Sequence, residues 1–197
     1  MILGLTGAIG SGKSAVLAVF SKLNWKTVDA DKLCHQVYER ASDEFVSGLK
    51  KLFGDRCVHQ DGTIDRKVIA DSVFSSKEML EQLEELIIPE FEKEFQKFIA
   101  DCRKNQQNAI CEIPLLHEKN YAGFFDAVIG IWVPEKLRRT RLKELRNMSE
   151  EDISRREANQ FSAEKKIELA DYCIVNDGSI GETEKQIKEL LKSLLPE

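Results

Sequence analysis

Apolar residues fall into five short runs separated by long stretches of helical periodicity. Residues 1–6 carry Ile2, Leu3 and Leu5 and read as a short buried strand; residues 26–28 read as a second, ending at the acidic pair Asp29 and Asp31. Strand character returns at 109–113, at 127–133 and at 173–175. Between the first two runs, Val16, Val19, Phe20 and Leu23 recur at the spacing of one helix face. From 31 to about 105 the pattern is almost all helical. Asp61-Gly62 marks a turn there, Asp65 opens a stretch with Val68, Ile69, Val73 and Phe74 at helical spacing, and a long amphipathic segment covers 77–103. Pro89 lies inside that segment and predicts a kink or a split near Ile88. Residues 135–146 form a basic helical stretch, Ser149 reads as an N-cap with Asp152 three residues on, and 181–195 closes the chain as an amphipathic helix.

Five short strands joined by helical crossovers predict an α/β fold, a five-stranded parallel sheet covered on both faces to give three α/β/α layers. The helical run from 31 to 105 is too long for one crossover. It reads as an insert on the edge of the sheet where open α/β folds bind ligands. The length, 197 residues, suits one well-buried core with a subordinate lobe. Hydrophobic residues at 42% and charged residues at 32% are the balance of a soluble globular protein. No apolar run is long enough to cross a bilayer, and no basic stretch with an apolar region follows the N-terminus, so neither a membrane partner nor a secretory signal is expected. The five cysteines are scattered and never paired as CxxC, and the three histidines stand apart. Reduced thiols, no zinc site and a cytoplasmic location follow. A formal charge of −5 argues against nucleic acid, while a single polyphosphate needs only local positive charge.

Residues 7–14 read Gly7-Ala8-Ile9-Gly10-Ser11-Gly12-Lys13-Ser14, a full GxxxxGK[ST] match with a strand before it and a helix after it. Glycines let the backbone turn so that successive N–H groups point at phosphate oxygens, and the helix adds its positive N-terminal end. The ATP-binding residues expected from this P-loop are Ala8, Ile9, Gly10, Ser11, Gly12, Lys13, Ser14 and Ala15. Lys13 is placed for the β- and γ-phosphates and Ser14 for Mg²⁺. Ala15 supplies no second hydroxyl, and Ala8 stands where glycine would be freer. No NKxD or DxxG segment follows, which lowers the case for a GTPase.

Asp29 and Asp31 end the second strand at the sheet edge that carries the loop. Asp31 can take the proton of an attacking hydroxyl; alternatively both acids cap the helix starting near Lys32. Glu112 closes the third run and can hold Mg²⁺ through water, or is a strand-end surface acid. The basic stretch carries Lys136, Arg138, Arg139, Arg141, Lys143 and Arg146, with Arg155 and Arg156 beyond it. Most such cations belong to a solvated helix face. Arg141, between Leu137 and Leu145, is the one expected to turn inward onto phosphate as part of a lid. Acids at i,i+4 are fewer than these cations, so the segment is expected to repel itself until a polyphosphate arrives.

Taken in order, these motifs resemble the dephospho-coenzyme A kinase family over residues 3–176. The opening Gly4-Leu5-Thr6-Gly7 with the loop is similar to its GLTGGIGSGKS, and Asp29-Ala30-Asp31 to its DAD. Asp61-Gly62-Thr63 with Arg66 resembles its DGxxxR, and Pro114-Leu115-Leu116 with Glu118 its PLLxE. Arg141-Leu142, Ser149, Arg156 and Gln160 keep its lid spacing, and Lys166, Ala170-Asp171 and Asn176 its close. The resemblance implies transfer of the ATP γ-phosphate to the ribose 3′-hydroxyl of dephospho-coenzyme A, with Mg²⁺ accompanying ATP. It implies Asp31, Lys13 and Arg141 as catalytic residues and Asn176 on the adenine side of ATP. Asp31, His35, Arg66 and Leu115 would face dephospho-coenzyme A. The implied layout is a nucleotide core of 1–31, 105–134 and 157–197, a helical substrate lobe of 32–104 and a lid of 135–156, in a monomer or a small oligomer. Three positions depart from the pattern: Ile88 replaces the histidine of a His-Pro pair, Leu145 stands at the second lid arginine, and His117 replaces an apolar residue. Two other readings stay open: a kinase of the same fold with another acceptor, and a nucleotide-switched binding protein or metallochaperone ATPase.

Overall fold

The computed structural model describes residues 1–74 and 76–195, with only the backbone of Phe74; the last two positions of the expected core, 196 and 197, lie outside the described residues. Strand β1 (Ile2–Gly7) runs into a glycine turn and helix α1 (Lys13–Lys22). Strand β2 (Lys26–Asp29) leads into α2 (Ala30–Glu39), α3 (Asp43–Phe53), α4 (Arg66–Phe74) and α5 (Lys77–Lys104). Strands β3 (Ala109–Glu112) and β4 (Ala127–Trp132) precede α6 (Glu135–Arg146), α7 (Glu150–Ala158) and α8 (Ala163–Glu168). Strand β5 (Tyr172–Val175) and α9 (Ile180–Leu194) complete the chain.

All five strands pair in parallel, in the order β2-β3-β1-β4-β5. The chain steps outward from β1 to β2, returns to β3 beside β1, and then crosses to β4 on the other side. The order therefore reverses at β1, and its C-terminal end is the crevice position where open parallel sheets bind ligands. Leu3, Leu5, Ile129 and Ile131 face α1 and α9, where Val16, Phe20, Trp25 and Ile187 complete a buried cluster. The Trp25 ring meets Phe20 edge-on, with centroids 5.2 Å apart. Side chains alternate along a strand, so Gly4 and Gly130 lie on the opposite face. There the absent Cβ atoms leave room for Leu116 and Phe125 and for Ile167 of α8. Helices thus cover both faces, as the strand pattern predicts.

The chain divides into two compact units, one of residues 1–30 with 102–197 and the other of residues 31–101. Within the second, Phe91 and Phe95 stack along α5 at 5.8 Å, and Tyr38 packs against Phe45. One expectation for this stretch needs correction. Helix α5 runs unbroken through Pro89, rather than splitting near Ile88. Proline removes one N–H donor and crowds the carbonyl a turn earlier, but Pro89 lies on an exposed stripe, where water can serve the freed carbonyl. The turn expected at Asp61-Gly62 interrupts the helices. A 3₁₀ turn at Asp55–Cys57 and an antiparallel bridge between Val58 and Ile64 enclose the Asp61-Gly62 turn. Asp61 Oδ1 accepts from the Thr63 N–H at 2.9 Å and its hydroxyl at 2.7 Å, closing the turn that Gly62 permits at φ 86°.

Candidate active site

The turn after β1 takes its shape from two left-handed glycines, Gly10 at φ 80° and Gly12 at φ 84°. A Cβ on Gly10 would lie 2.9 Å from the Arg138 carbonyl, and one on Gly12 would lie 2.3 Å from Asn176 Nδ2. Neither position admits a side chain. Helix α1 then begins with Gly12 as N-cap, no side-chain cap and no acid in its first turn. By contrast α3, α7, α8 and α9 are capped by the hydroxyls of Ser42, Ser149, Ser162 and Ser179. The first N–H groups of a helix need an acceptor, and at α1 no side chain caps them, the Ala15 N–H turning back to the Gly12 carbonyl at 3.0 Å. Ser11 Oγ is buried beside them with no hydrogen-bond partner. A helix N-terminus entered through a glycine turn, with no side-chain cap, suits an anion.

Lys13 Nζ donates to the carbonyls of Gly7 at 3.0 Å and Ala8 at 3.4 Å, and lies 3.9 Å from Glu112 Oε1. The ammonium is therefore curled over the loop, next to the carboxylate that ends β3. Register puts Asp29 directly opposite Glu112 at the same sheet edge. Ser14 is exposed at the first turn of α1. Among the described residues no group of three or more His, Cys, Asp or Glu could hold a metal ion. The oxygens at the loop and the end of β3, the Ser14 hydroxyl and the Glu112 carboxylate, are of the hard kind that Mg²⁺ takes beside water and phosphate.

Asn176, just past β5, supports the loop from below. It is 6% exposed. Its Nδ2 donates to the Ser11 carbonyl at 2.8 Å, and its Oδ1 accepts from the Thr183 hydroxyl at 2.9 Å. Its own carbonyl accepts from Arg141 Nη1 at 2.9 Å, with that nitrogen 3.9 Å from where a Gly12 Cβ would stand. Arg141 thus lies along the loop.

The expectation that the rest of the basic run is solvated and self-repelling is wrong for several residues. Arg138 is buried, donating to Glu157 and to the Ile9 carbonyl. Arg139 engages Glu135, Glu150 and Glu157, and Lys143 engages Glu150. The needed acids sit mostly on α7, across the helix pair, where an i,i+4 survey along α6 misses them. Leu145, read as part of an apolar face, is 77% exposed near the end of α6. The apolar anchor of that helix is Leu142 instead. Ser149 does cap α7, accepting from the Asp152 N–H at 3.1 Å.

Within residues 31–101, Asp31 lies in the first turn of α2 and is exposed. Cys34 next to it is pushed up to about 11, by burial first and by the Asp31 carboxylate second. His35 and Arg66 come together, with Arg66 Nη1 2.6 Å from His35 Nδ1 and Nη2 2.9 Å from Nε2. The same guanidinium lies 5.5 Å from the centre of the Tyr38 ring.

With this geometry in place, comparison with known proteins is decisive: the profile of dephospho-CoA kinase matches residues 1–182. The chain belongs to the dephospho-CoA kinase family. A dephospho-CoA kinase from Aquifex aeolicus is 38% identical over 192 residues, covering 98% of this chain and 96% of its own. One from Enterococcus faecalis is 34% identical over 191 residues, covering 97% and 96%. The crystal structure of TT1252 from Thermus thermophilus superposes with a TM-score of 0.80 at 32% identity, covering 99% of this chain and 98% of that one.

Two residues of the family resemblance form a largely buried ion pair. Lys166 is fully buried, and its Nζ donates to Glu118 Oε1 at 2.7 Å and to the Pro114 carbonyl. Glu118 Oε1 also accepts from the Phe161 N–H at 2.8 Å. Burial acts to raise the Glu118 pKa, but the Lys166 ammonium and the Phe161 N–H outweigh it and hold the carboxyl below its usual range. Burial draws Lys166 below its usual range against the pull of Glu118. Lys166 and Glu118 thus form a close ion pair, each the other's partner. Leu115 lies half-buried in the turn next to Glu118. His117 is half-buried too, its Nε2 without a hydrogen-bond partner, and burial lowers its pKa. No helix among the described residues is long and apolar enough to cross a membrane.

Proposed function

We propose that this chain transfers the γ-phosphate of ATP to the ribose 3′-hydroxyl of dephospho-CoA, giving CoA and ADP in the cytoplasm. The observation that carries the reading is the uncapped N-terminus of α1, ringed by Lys13, Ser11 and Arg141, in a chain of this family. The loop N–H groups from Ala8 to Ala15 cradle the phosphates. Lys13 leaves its carbonyl contacts for the β- and γ-phosphate oxygens, which are stronger acceptors. Mg²⁺ bound with ATP would be held by the Ser14 hydroxyl and, through water, by Glu112, and would neutralise charge on the transferring group. Asp31 accepts the proton of the 3′-hydroxyl as the new O–P bond forms and the bond to the β-phosphate oxygen breaks. Arg141, aligned along Gly12, offsets charge on the phosphoryl oxygens. Asn176 holds the loop in shape on the adenine side. Residues 32–104 serve as the substrate lobe, with His35, Arg66 and Leu115 toward dephospho-CoA, and 135–156 as the lid.

A coupled ADP-release assay with a panel of hydroxyl acceptors tests this reading. Release that depends on dephospho-CoA supports it. Equal release with shikimate or a nucleoside would assign another acceptor, and release with no acceptor at all would favour a nucleotide switch.

A further inference from the structure

Arg138 is 6% exposed at the junction of α6 and the phosphate loop. Its Nη1 donates to Glu157 Oε1 at 2.7 Å and to the Ile9 carbonyl at 3.1 Å, and its Nε is buried with no partner. Glu157, whose other oxygen is held by Arg139 Nη2 at 2.6 Å, accounts for the buried charge. It does not account for the bond to the loop.

That bond fixes a peptide. The Ile9 C=O and the Gly10 N–H belong to one trans unit and point in opposite directions. Holding the Ile9 oxygen against α6 therefore aims the Gly10 N–H to the other side of the loop, the side of the phosphates. Such a clamp is needed here because Gly10 can adopt either sign of φ, so rotation of the 9–10 peptide meets little steric resistance. The backbone of α6 approaches closely as well, since the Arg138 carbonyl is what a Gly10 Cβ would strike.

We infer that Arg138 is a positioning residue for the nucleotide: it presets the 9–10 peptide so that the Gly10 N–H meets phosphate, and through Glu157 it ties that peptide to α7. The inference rests on the kinase reading of the loop but is independent of the acceptor. Sequence spacing offered one signal for it, because Arg138 lies three residues before Arg141 and so on a neighbouring part of the same helix face.

The test removes the charge pair equally and varies only the donor. Two double variants of the full chain are compared, Arg138→Gln with Glu157→Gln and Arg138→Leu with Glu157→Gln. Binding of an unhydrolysable ATP analogue is measured by calorimetry at 10 °C, and thermal midpoints are recorded beside it. Neither double variant leaves a buried unpaired charge, and only the glutamine at 138 can still donate to the Ile9 carbonyl. The glutamine pair is expected to bind the analogue about tenfold more tightly than the leucine pair, the worth of one oriented hydrogen bond to phosphate. Thermal midpoints that differ by less than binding does would separate positioning from general stability. Equal affinity of the two double variants overturns the inference, as does a loss of affinity that only tracks the fall in midpoint. An acceptor panel that excludes dephospho-CoA would refute the proposed substrate while leaving this comparison intact.

Discussion

Replacing Lys166 by Met leaves Glu118 as a half-buried carboxylate whose ammonium partner is gone. In the native chain Lys166 is 0% exposed and gives Glu118 Oε1 one of its two hydrogen bonds, while Glu118 Oε2 has no hydrogen-bond partner. Breaking a buried pair on one side costs about 3–5 kcal/mol. For a chain of this size that lowers the thermal midpoint by about 6–20 °C. Glu118→Gln should cost about 2–3 kcal/mol, since an amide oxygen can still accept from Phe161 but leaves the ammonium without its counter-charge. The double variant carries neither charge and should be more stable than Lys166→Met alone, with about 2–3 kcal/mol of coupling between the sites. The pH dependence has a definite sign. Glu118 has a lowered pKa in the folded chain, so the pair's contribution is fully present above the ordinary glutamate range and is lost as pH falls through the lowered value. The penalty of Lys166→Met should therefore be full at pH 7 and shrink in acid, where the stranded carboxyl can protonate. Urea unfolding of the four proteins at pH 7 and again near pH 4 supplies the cycle. Additive effects at pH 7, or a Lys166→Met chain within 1 kcal/mol of the parent, would refute the pairing.

Gly12→Ala should abolish nucleotide binding and cost about 2–4 kcal/mol, from a left-handed backbone and displacement of Asn176; calorimetry with the ATP analogue checks it, and retained affinity would contradict the tight approach. Asp31→Asn should cut turnover about 10²–10⁴-fold while ATP still binds; near-parental turnover would remove Asp31 as base. Arg141→Ala should cost turnover far more than Leu145→Ala, whose side chain is exposed. In Arg139→Ala the amides of α7 should exchange faster, because three glutamates lose one shared partner, and unchanged exchange would mean that packing alone holds α7.

The sheet was legible because each of its strands is a short apolar run, and parallel pairing follows from helices between them. The phosphate loop was legible because its chemistry is local in sequence. What stayed hidden depends on contacts between distant segments. Arg138, Arg139 and Lys143 read as solvated cations because their acids sit up to 19 residues away, across the α6–α7 pair. Leu145 read as one flank of the inward face around Arg141 because a helical wheel does not show where a helix end leaves its partner. The double use of Asn176, beneath Ser11 and against Thr183, was invisible because a single asparagine carries no pattern. Pro89 misled in the opposite sense: its local rule is sound, but an exposed position on α5 tolerates the missing bond.

Phosphorylation of the ribose 3′-hydroxyl can be read directly from its product. The direct measurement is phosphorus–proton correlation NMR of the product formed from ATP and dephospho-CoA by the full chain. Transfer to the 3′-hydroxyl gives one new phosphomonoester coupled to the ribose H3′ proton, formed in step with ADP. Inorganic phosphate in place of an ester, or an ester coupled to the H2′ proton, would contradict it.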